Sequence, residues 1–262
     1  MHRNEIKQKN KNITDSIVYA ERIQQVILPS DEKIRRLFPE SFVLFKPKDI
    51  VSGDFYWFEE KNGNKYCSAV DCTGHGVPGA LMSMVCHNML NQALNYHNIT
   101  KPSEILKYLS ENDSESFKSA ASRSDELKDG MDLALCCFNR ETKTLEYSGA
   151  FNPLYVVRDG ELIQFDASSH SINIFNNKSL EFESHLLQLQ HGDMVYIFTD
   201  GFIDQFGGSD RKKFLKKRFK EALLKVHKHA LHAQRLYLDT IFEEWRGQHE
   251  QIDDVLVIGI RI

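Results

Sequence analysis

The sequence lacks the markers of several large protein classes. Its one long run without Asp, Glu, Lys or Arg, residues 73–100, carries three His and five Asn or Gln, so it reads as a buried helix rather than a bilayer span. The N-terminus, MHRNEIKQKNKN, has no apolar core after its charges, and no secretory leader is expected. Five cysteines form an odd set without zinc-ligand spacing, which points to buried free thiols in a reducing cytoplasm. A formal net charge of −4 argues against a dedicated nucleic-acid binder and gives no attraction to anionic membranes. Residues 30–262 contain no internal repeat and no Pro- or Gly-rich linker. What remains is a soluble chain long enough for one large core.

The most informative stretch runs from Ser52 to Gly79. Asn62-Gly63 signals a two-residue type I′ hairpin turn, because both residues tolerate positive φ. The flanks Phe55–Phe58 and Tyr66–Val70 suit strands. Folding the chain about that turn sets Asp54 directly opposite Asp71. Like charges at opposed positions repel, and a divalent cation held by both carboxylates is the natural remedy.

Upstream, Ile13, Ile17, Ala20, Ile23 and Ile27 form a narrow helical stripe that ends at Pro29, behind a frayed, polar residues 1–12. This helix either packs on its own domain, or forms a short dimerising coiled coil, or links to an upstream sensor. Residues 1–30 are therefore set apart as a helical linker, and 31–262 as the main domain. Strands are expected at 41–47, 131–138, 144–148, 153–158, 161–166, 180–187, 193–199 and 254–262. Helices are expected at 77–95 (apolar nearly all round), 103–118, 210–225 and 230–246, with a polar loop over 111–130. Without βαβ alternation the fold class is α+β, with largely antiparallel sheet covered on both faces.

Two more carboxylates sit at strand ends, Asp200 before Gly201, and Asp253 before the run starting at Asp254. Taken singly, each is explained by turn capping. If the ends of these strands meet, Asp54, Asp71, Asp200 and Asp253 make an oxygen-rich site suited to Mg²⁺ or Mn²⁺ rather than zinc.

The motifs Ser52-Gly53-Asp54-Phe55, Asp71 with Gly74-His75-Gly76 and Ala80-Leu81-Met82, Phe198-Thr199-Asp200-Gly201, and Gln251 with Asp253-Asp254-Val255-Leu256-Val257 occur in this order. Together they resemble the SpoIIE-like branch of the metal-dependent serine/threonine protein phosphatases, the type 2C superfamily. The resemblance spans about Ile34 to Ile262. It implies a four-layer αββα sandwich with two Mn²⁺ or Mg²⁺ ions at one end. Asp71 would bridge both ions and the Cys72 carbonyl would bind one. Asp200 and Asp253 would complete the set, with Asp54 binding directly or through water. A shared water of lowered pKa would then attack phosphorus in line. The implied substrate is phosphoserine or phosphothreonine on a small regulator, such as an anti-sigma-factor antagonist in a partner-switching pathway. The alternatives are a catalytically weak phosphoprotein-binding module of the same fold and a two-metal nuclease.

Departures and lesser candidates complete the reading. Ser171-Ile172-Asn173 stands where relatives carry Pro-Ile-Gly, and Met131-Asp132-Leu133 where many have a Thr-rich strand start. Asp132 faces solvent or adds an outer carboxylate. Gly74, His75, Gly76 and Lys48 are candidates to lie near a phosphate, while His75 and Lys48 also have ordinary structural readings. The basic run from Arg211 to Lys220 reads as a solvated face of an amphipathic helix, with Leu215, Phe219 and Leu223 on its apolar side.

Overall fold

A computed structural model describes residues 2–111, 129–173 and 179–262. Helix α1 (His2–Ile27) and α2 (Asp31–Leu37) precede β1 (Ser41–Lys46). The hairpin β2 (Phe55–Lys61) and β3 (Asn64–Cys72) follows, then α3 (Gly76–Asn91) and α4 (Pro102–Ser110). A run of strands comes next: β4 (Gly130–Asn139), β5 (Thr144–Ala150), β6 (Leu154–Arg158), β7 (Glu161–Phe165), β8 (Ile172–Asn173), β9 (His185–Gln188) and β10 (Met194–Phe198). A four-residue helix α5 (Gly201–Asp204) leads into β11 (Phe206–Gly207) and β12 (Lys212–Lys213). Helices α6 (Lys216–Val226) and α7 (Leu231–Arg246) and strand β13 (Val255–Arg261) end the chain.

Two antiparallel sheets carry the fold. One has the order β1-β13-β10-β6-β7, and the other the order β2-β3-β4-β5-β9 with β8 on β4. Alternation along each strand divides the side chains between layers. On β3, Cys67 and Ala69 point between the sheets, while Tyr66, Val70 and Cys72 meet Cys86, Leu90 and Leu106 of α3 and α4. On β13, Leu256, Ile258 and Ile260 point inward, while Val255 and Val257 meet Phe219, Leu238 and Phe242 of α6 and α7. Three apolar cores thus separate four layers in αββα order, as expected.

Asn62 (φ 52°) and Gly63 (φ 77°) form the type I′ turn. The register Phe55↔Val70 through Lys61↔Asn64 is the one read from the sequence. Asp159 (φ 51°) and Gly160 (φ 85°) turn the β6–β7 hairpin in the same way.

Several boundaries moved. Residues 2–12 are not frayed: they continue α1, since a helix anchored at its far end propagates easily through Lys, Asn and Gln. The helix expected over 77–95 ends at Asn91, and a wider π turn over Gln92–Tyr96 brings Ala93 and Leu94 into the core. It is not buried all round, because Val77 and Leu81 face solvent. The strand expected over 180–187 is only His185–Gln188. The helix expected over 210–225 starts at Lys216, behind the β11–β12 hairpin. Most of the polar loop 111–130 and the end of the helix expected at 103–118 lie outside the described residues.

Candidate metal centre

The hairpin sets Asp54 and Asp71 side by side at the open end of the sandwich, and β4 adds a third carboxylate, because Asp132 is paired directly with Asp71. The other sheet brings Asp200, just past β10, and Asp253, just before β13. The four acids expected to converge interact electrostatically: Asp54, Asp71 and Asp200 each have their pKa raised by the charge of at least one other of the four. Burial and then Asp71 push the Asp54 carboxyl well up, against a hydrogen bond from Thr199. Burial, Asp200, Asp253 and Asp132 do the same to Asp71, which also shares a hydrogen bond with Asp54. Burial and Asp253 push Asp200 up to about 6, and burial and Asp254 raise Asp253. Among the described residues no three of these groups yet close on a common point as a finished coordination set. A cation is the group that would offset their mutual repulsion.

Backbone contacts explain why this arrangement forms. Asp254, buried, accepts from the Gly53 and Lys48 amides at 2.7 Å each, tying the loop before β2 to the start of β13. The Thr199 hydroxyl donates to Asp54 at 2.6 Å and accepts from the Leu256 amide at 3.1 Å. The Asp54 amide donates to the Ser52 hydroxyl at 3.0 Å. A Cβ on Gly53 would lie 2.4 Å from the Gly74 carbonyl oxygen and 3.1 Å from that of Cys72, so the Cys72 carbonyl faces this loop. The Cys72 side chain turns the other way, beside Cys86, and burial pushes its thiol up.

The remaining candidates lie at the rim. Gly74 (φ 88°) and Gly76 (φ 64°) bracket His75, whose Nδ1 is 2.8 Å from Asp49 Oδ2. Lys48 and His75 both lie close enough to Asp253 to oppose the rise in its pKa. Asp132 does not simply face solvent: burial raises the pKa of its carboxyl against a hydrogen bond with Ser171, and its Oδ1 is buried without a partner among the described residues. It lines a cleft of about 160 Å³ with Asp71, Thr73, Gly130, Ser171 and Asn173.

Sequence reasoning missed three residues here. Asp254 stood in plain view beside Asp253, yet only the fold shows that its oxygens serve backbone amides. Thr199 lay inside a recognised motif without an assigned role. Gln24 carried no signal at all: it is buried on an otherwise exposed helix, with its Nε2 donating to Ser52 O (2.6 Å) and Ser83 Oγ (2.9 Å) and its Oε1 accepting from Ser52 N (3.0 Å). Gln24→Ala removes three buried hydrogen bonds, two of them to the backbone of Ser52 close before Asp54. The expected result is a loss of about 1–3 kcal/mol in urea unfolding, which an unchanged midpoint contradicts.

The sequence profile of the family "Stage II sporulation protein E (SpoIIE)" matches residues 62–262. The chain belongs to the SpoIIE family. The SiaA-PP2C domain of Pseudomonas aeruginosa is similar at 32% identity and a TM-score of 0.84, over 97% of this chain and 98% of that one. The PP2C phosphatase domain of SpoIIE from Bacillus subtilis, with a fragment of its regulatory domain, shares the fold at 19% identity and a TM-score of 0.67, covering 85% of this chain and 63% of that one. RsbX in complex with magnesium shares it at 15% identity and a TM-score of 0.58, over 85% and 94%. A search of curated proteins finds no match. This SpoIIE-family chain is therefore a type 2C phosphatase domain by family and by fold, with two antiparallel sheets flanked by helices.

The carboxylates make its stability depend on pH. Their folded pKa values lie above the unfolded ones, so the folded state binds more protons between about pH 4 and the raised values, near 6 for Asp200. Repulsion is relieved below that window and fully present above it. The increase in melting temperature on adding Mn²⁺ should therefore be larger at pH 7.5 than at pH 5. Half-buried His87, whose pKa is lowered, acts in the opposite direction but is common to both samples and cancels. An Mn²⁺ shift of equal size at both pH values contradicts the argument.

Proposed function

We propose that this SpoIIE-family domain is a metal-dependent phosphatase that hydrolyses phosphoserine or phosphothreonine on a regulatory protein, using two Mn²⁺ or Mg²⁺ ions. The observation that carries it is the cluster of carboxylates from four strand ends whose pKa values are raised, with the buried Asp132 Oδ1 unpaired among the described residues. The donor set fits hard cations: it is all oxygen, from Asp54, Asp71, Asp200, Asp253 and the Cys72 carbonyl, with Asp132 to hand. When bound, such ions supply an activated water and offset phosphoryl charge.

The chain's own part is to orient and to attract. Thr199 holds Asp54 in one direction and Asp254 braces the Gly53 loop, so the ligating oxygens are set before any substrate arrives. The exposed amides of Gly74–Gly76, the Lys48 ammonium and the His75 ring offer donors and positive charge to a phosphate at the rim. Residues 1–30 are read as the linker through which Gln24 connects upstream events to Ser52 and Asp54, and 31–262 as the catalytic domain. The five free, buried cysteines fit a cytoplasmic protein, and among the described residues no helix is long and apolar enough to cross a membrane. A small phosphorylated partner-switching protein, such as an anti-sigma-factor antagonist, is the substrate this reading favours.

The test is a Mn²⁺ titration read by calorimetry together with hydrolysis of para-nitrophenyl phosphate. Saturable binding with matching activity supports the enzyme. Metal-free binding of a phosphoprotein with no turnover favours a phosphoprotein-binding module instead. The linker also supports a homodimer: Ile6 and Ile13, seven residues apart on α1, are each more than half exposed. Ile13→Asp should then halve the mass seen by light scattering, and an unchanged mass removes the dimer.

A further inference from the structure

The basic run at residues 211–220 is the amphipathic helix read from the sequence only from Lys216 on, where Phe219 and Leu223 are buried; residues 211–215 are not helical. The run holds seven Lys or Arg and no acid. Its first part closes the β11–β12 hairpin, and Phe214 takes the buried place against Phe202 and Trp245. Leu215 is instead turned outward, 55% exposed, ahead of α6. Its backbone (φ 75°, ψ 150°) lies in a strained region that essentially only glycine occupies. A hydrogen bond from its amide to Ile203 O at 2.8 Å pins it there.

The charges around it are equally unfavourable for the isolated fold. Lys216, Lys217 and Arg218 occupy the first turn of α6, where the helix dipole disfavours cations, and no acid offsets them there. Lys213 pairs with Asp204 at 2.7 Å, and Arg218 stacks on Trp245 at 4.1 Å. Among the described residues Lys212 pairs only with the exposed Asp210, at 3.2 Å. Arg211, Lys216 and Lys217 form no ion pair among the described residues. The domain's own packing gives no reason for a strained, exposed leucine side chain among cations that no acid neutralises among the described residues. The patch also borders the metal centre: the Asp204 amide bonds to Asp200 O at 2.9 Å, so the hairpin salt-bridged to Asp204 sits one helical turn from Asp200.

We infer that Leu215, with Arg211, Lys212, Lys216 and Lys217, is a docking surface for an acidic segment of the phosphoprotein substrate, the leucine meeting an apolar side chain and the cations the acids beside it. The rest of the molecule supports this choice of partner. The whole chain carries a net charge of −4 even with these cations included, so an acidic protein is repelled elsewhere and steered here. One leucine is too small an apolar face to hold a membrane surface.

The inference rests on the phosphatase reading for the location of the substrate, and its test separates the two. The probes are a fluorescein-labelled phosphoserine peptide rich in Asp and Glu with one Leu, and its counterpart with those acids changed to Asn and Gln. The proteins are the full chain, the triple variant Lys212→Glu/Lys216→Glu/Lys217→Glu, and Leu215→Gly, which suits the φ and ψ and should fold well. By anisotropy the acidic peptide should bind each variant about tenfold more weakly than the parent chain, and prefer the parent over the amide peptide. Its KM should rise to match, with kcat and para-nitrophenyl phosphate hydrolysis unchanged. Equal binding of both peptides to all three proteins overturns the docking surface. So does charge-dependent binding of phosphatidylserine vesicles or single-stranded RNA without preference for the acidic peptide. Charge-selective peptide binding by a chain that hydrolyses nothing upholds this surface and sinks the phosphatase reading instead.

Discussion

Asp71→Asn should abolish Mn²⁺-dependent hydrolysis of para-nitrophenyl phosphate and, in the same protein, raise the melting temperature measured without metal. The two effects have one origin. Asp71 is faced by Asp54, Asp132, Asp200 and Asp253, and each of the last three pushes its pKa up. Removing its charge relieves all of them, and each kcal/mol recovered is worth about 2–4 °C for a domain of this size. The same change removes the oxygen proposed to join both ions. Activity should fall well beyond the roughly 10–100-fold typical of a residue that only orients a ligand. Circular dichroism and thermal melts with and without Mn²⁺ check both halves. A variant that loses activity and also melts lower without metal would place Asp71 in the core as a structural acid, not in a charge-strained site.

Gly53→Ala should damage both the stability and the candidate site, although it adds a single methyl group. No left-handed conformation requires glycine here; the reason is a close approach. An added Cβ would sit 2.4 Å from the Gly74 carbonyl oxygen and 3.1 Å from the Cys72 oxygen, both rigid backbone. On the far side of the same contact, a Cβ on Gly79 would lie 3.0 Å from the Gly53 Cα and 2.2 Å from Gly74 O, so the turn cannot retreat towards α3. The Ser52–Asp54 loop must shift instead, breaking the Gly53 amide bond to Asp254 and moving Asp54. The expected loss is more than about 3 kcal/mol of stability, at the top of the range for overpacking, together with Mn²⁺ affinity. Guanidinium unfolding and calorimetry measure both. Wild-type metal affinity in the variant would mean that the loop adapts and that the close packing does not set the site.

The behaviour of particular residues shows how far local pattern carries. Asn62-Gly63 leaves one hairpin register open, so the Asp54–Asp71 opposition follows from counting residues. Alternating and continuous apolar runs were enough for the sheets, because strand faces obey a period of two. Where two local outcomes have similar energy, the pattern did not decide. Residues 210–215 have the composition of a helix, yet burying Phe214 against Trp245 draws them into a hairpin and expels Leu215. Residues 2–12 look too polar to be ordered and are helical.

The amino-acid sequence by itself determined the family, the strand-end acids and the hairpin that opposes two of them, because these depend on neighbours a few residues apart. Only the tertiary structure decided that Asp132 joins them, that Asp254 serves backbone amides, and that Gln24 reaches Ser52 from a helix outside the main motifs. Each of those contacts joins residues far apart in the chain, and their energies come from burial that exists only once the four layers have closed.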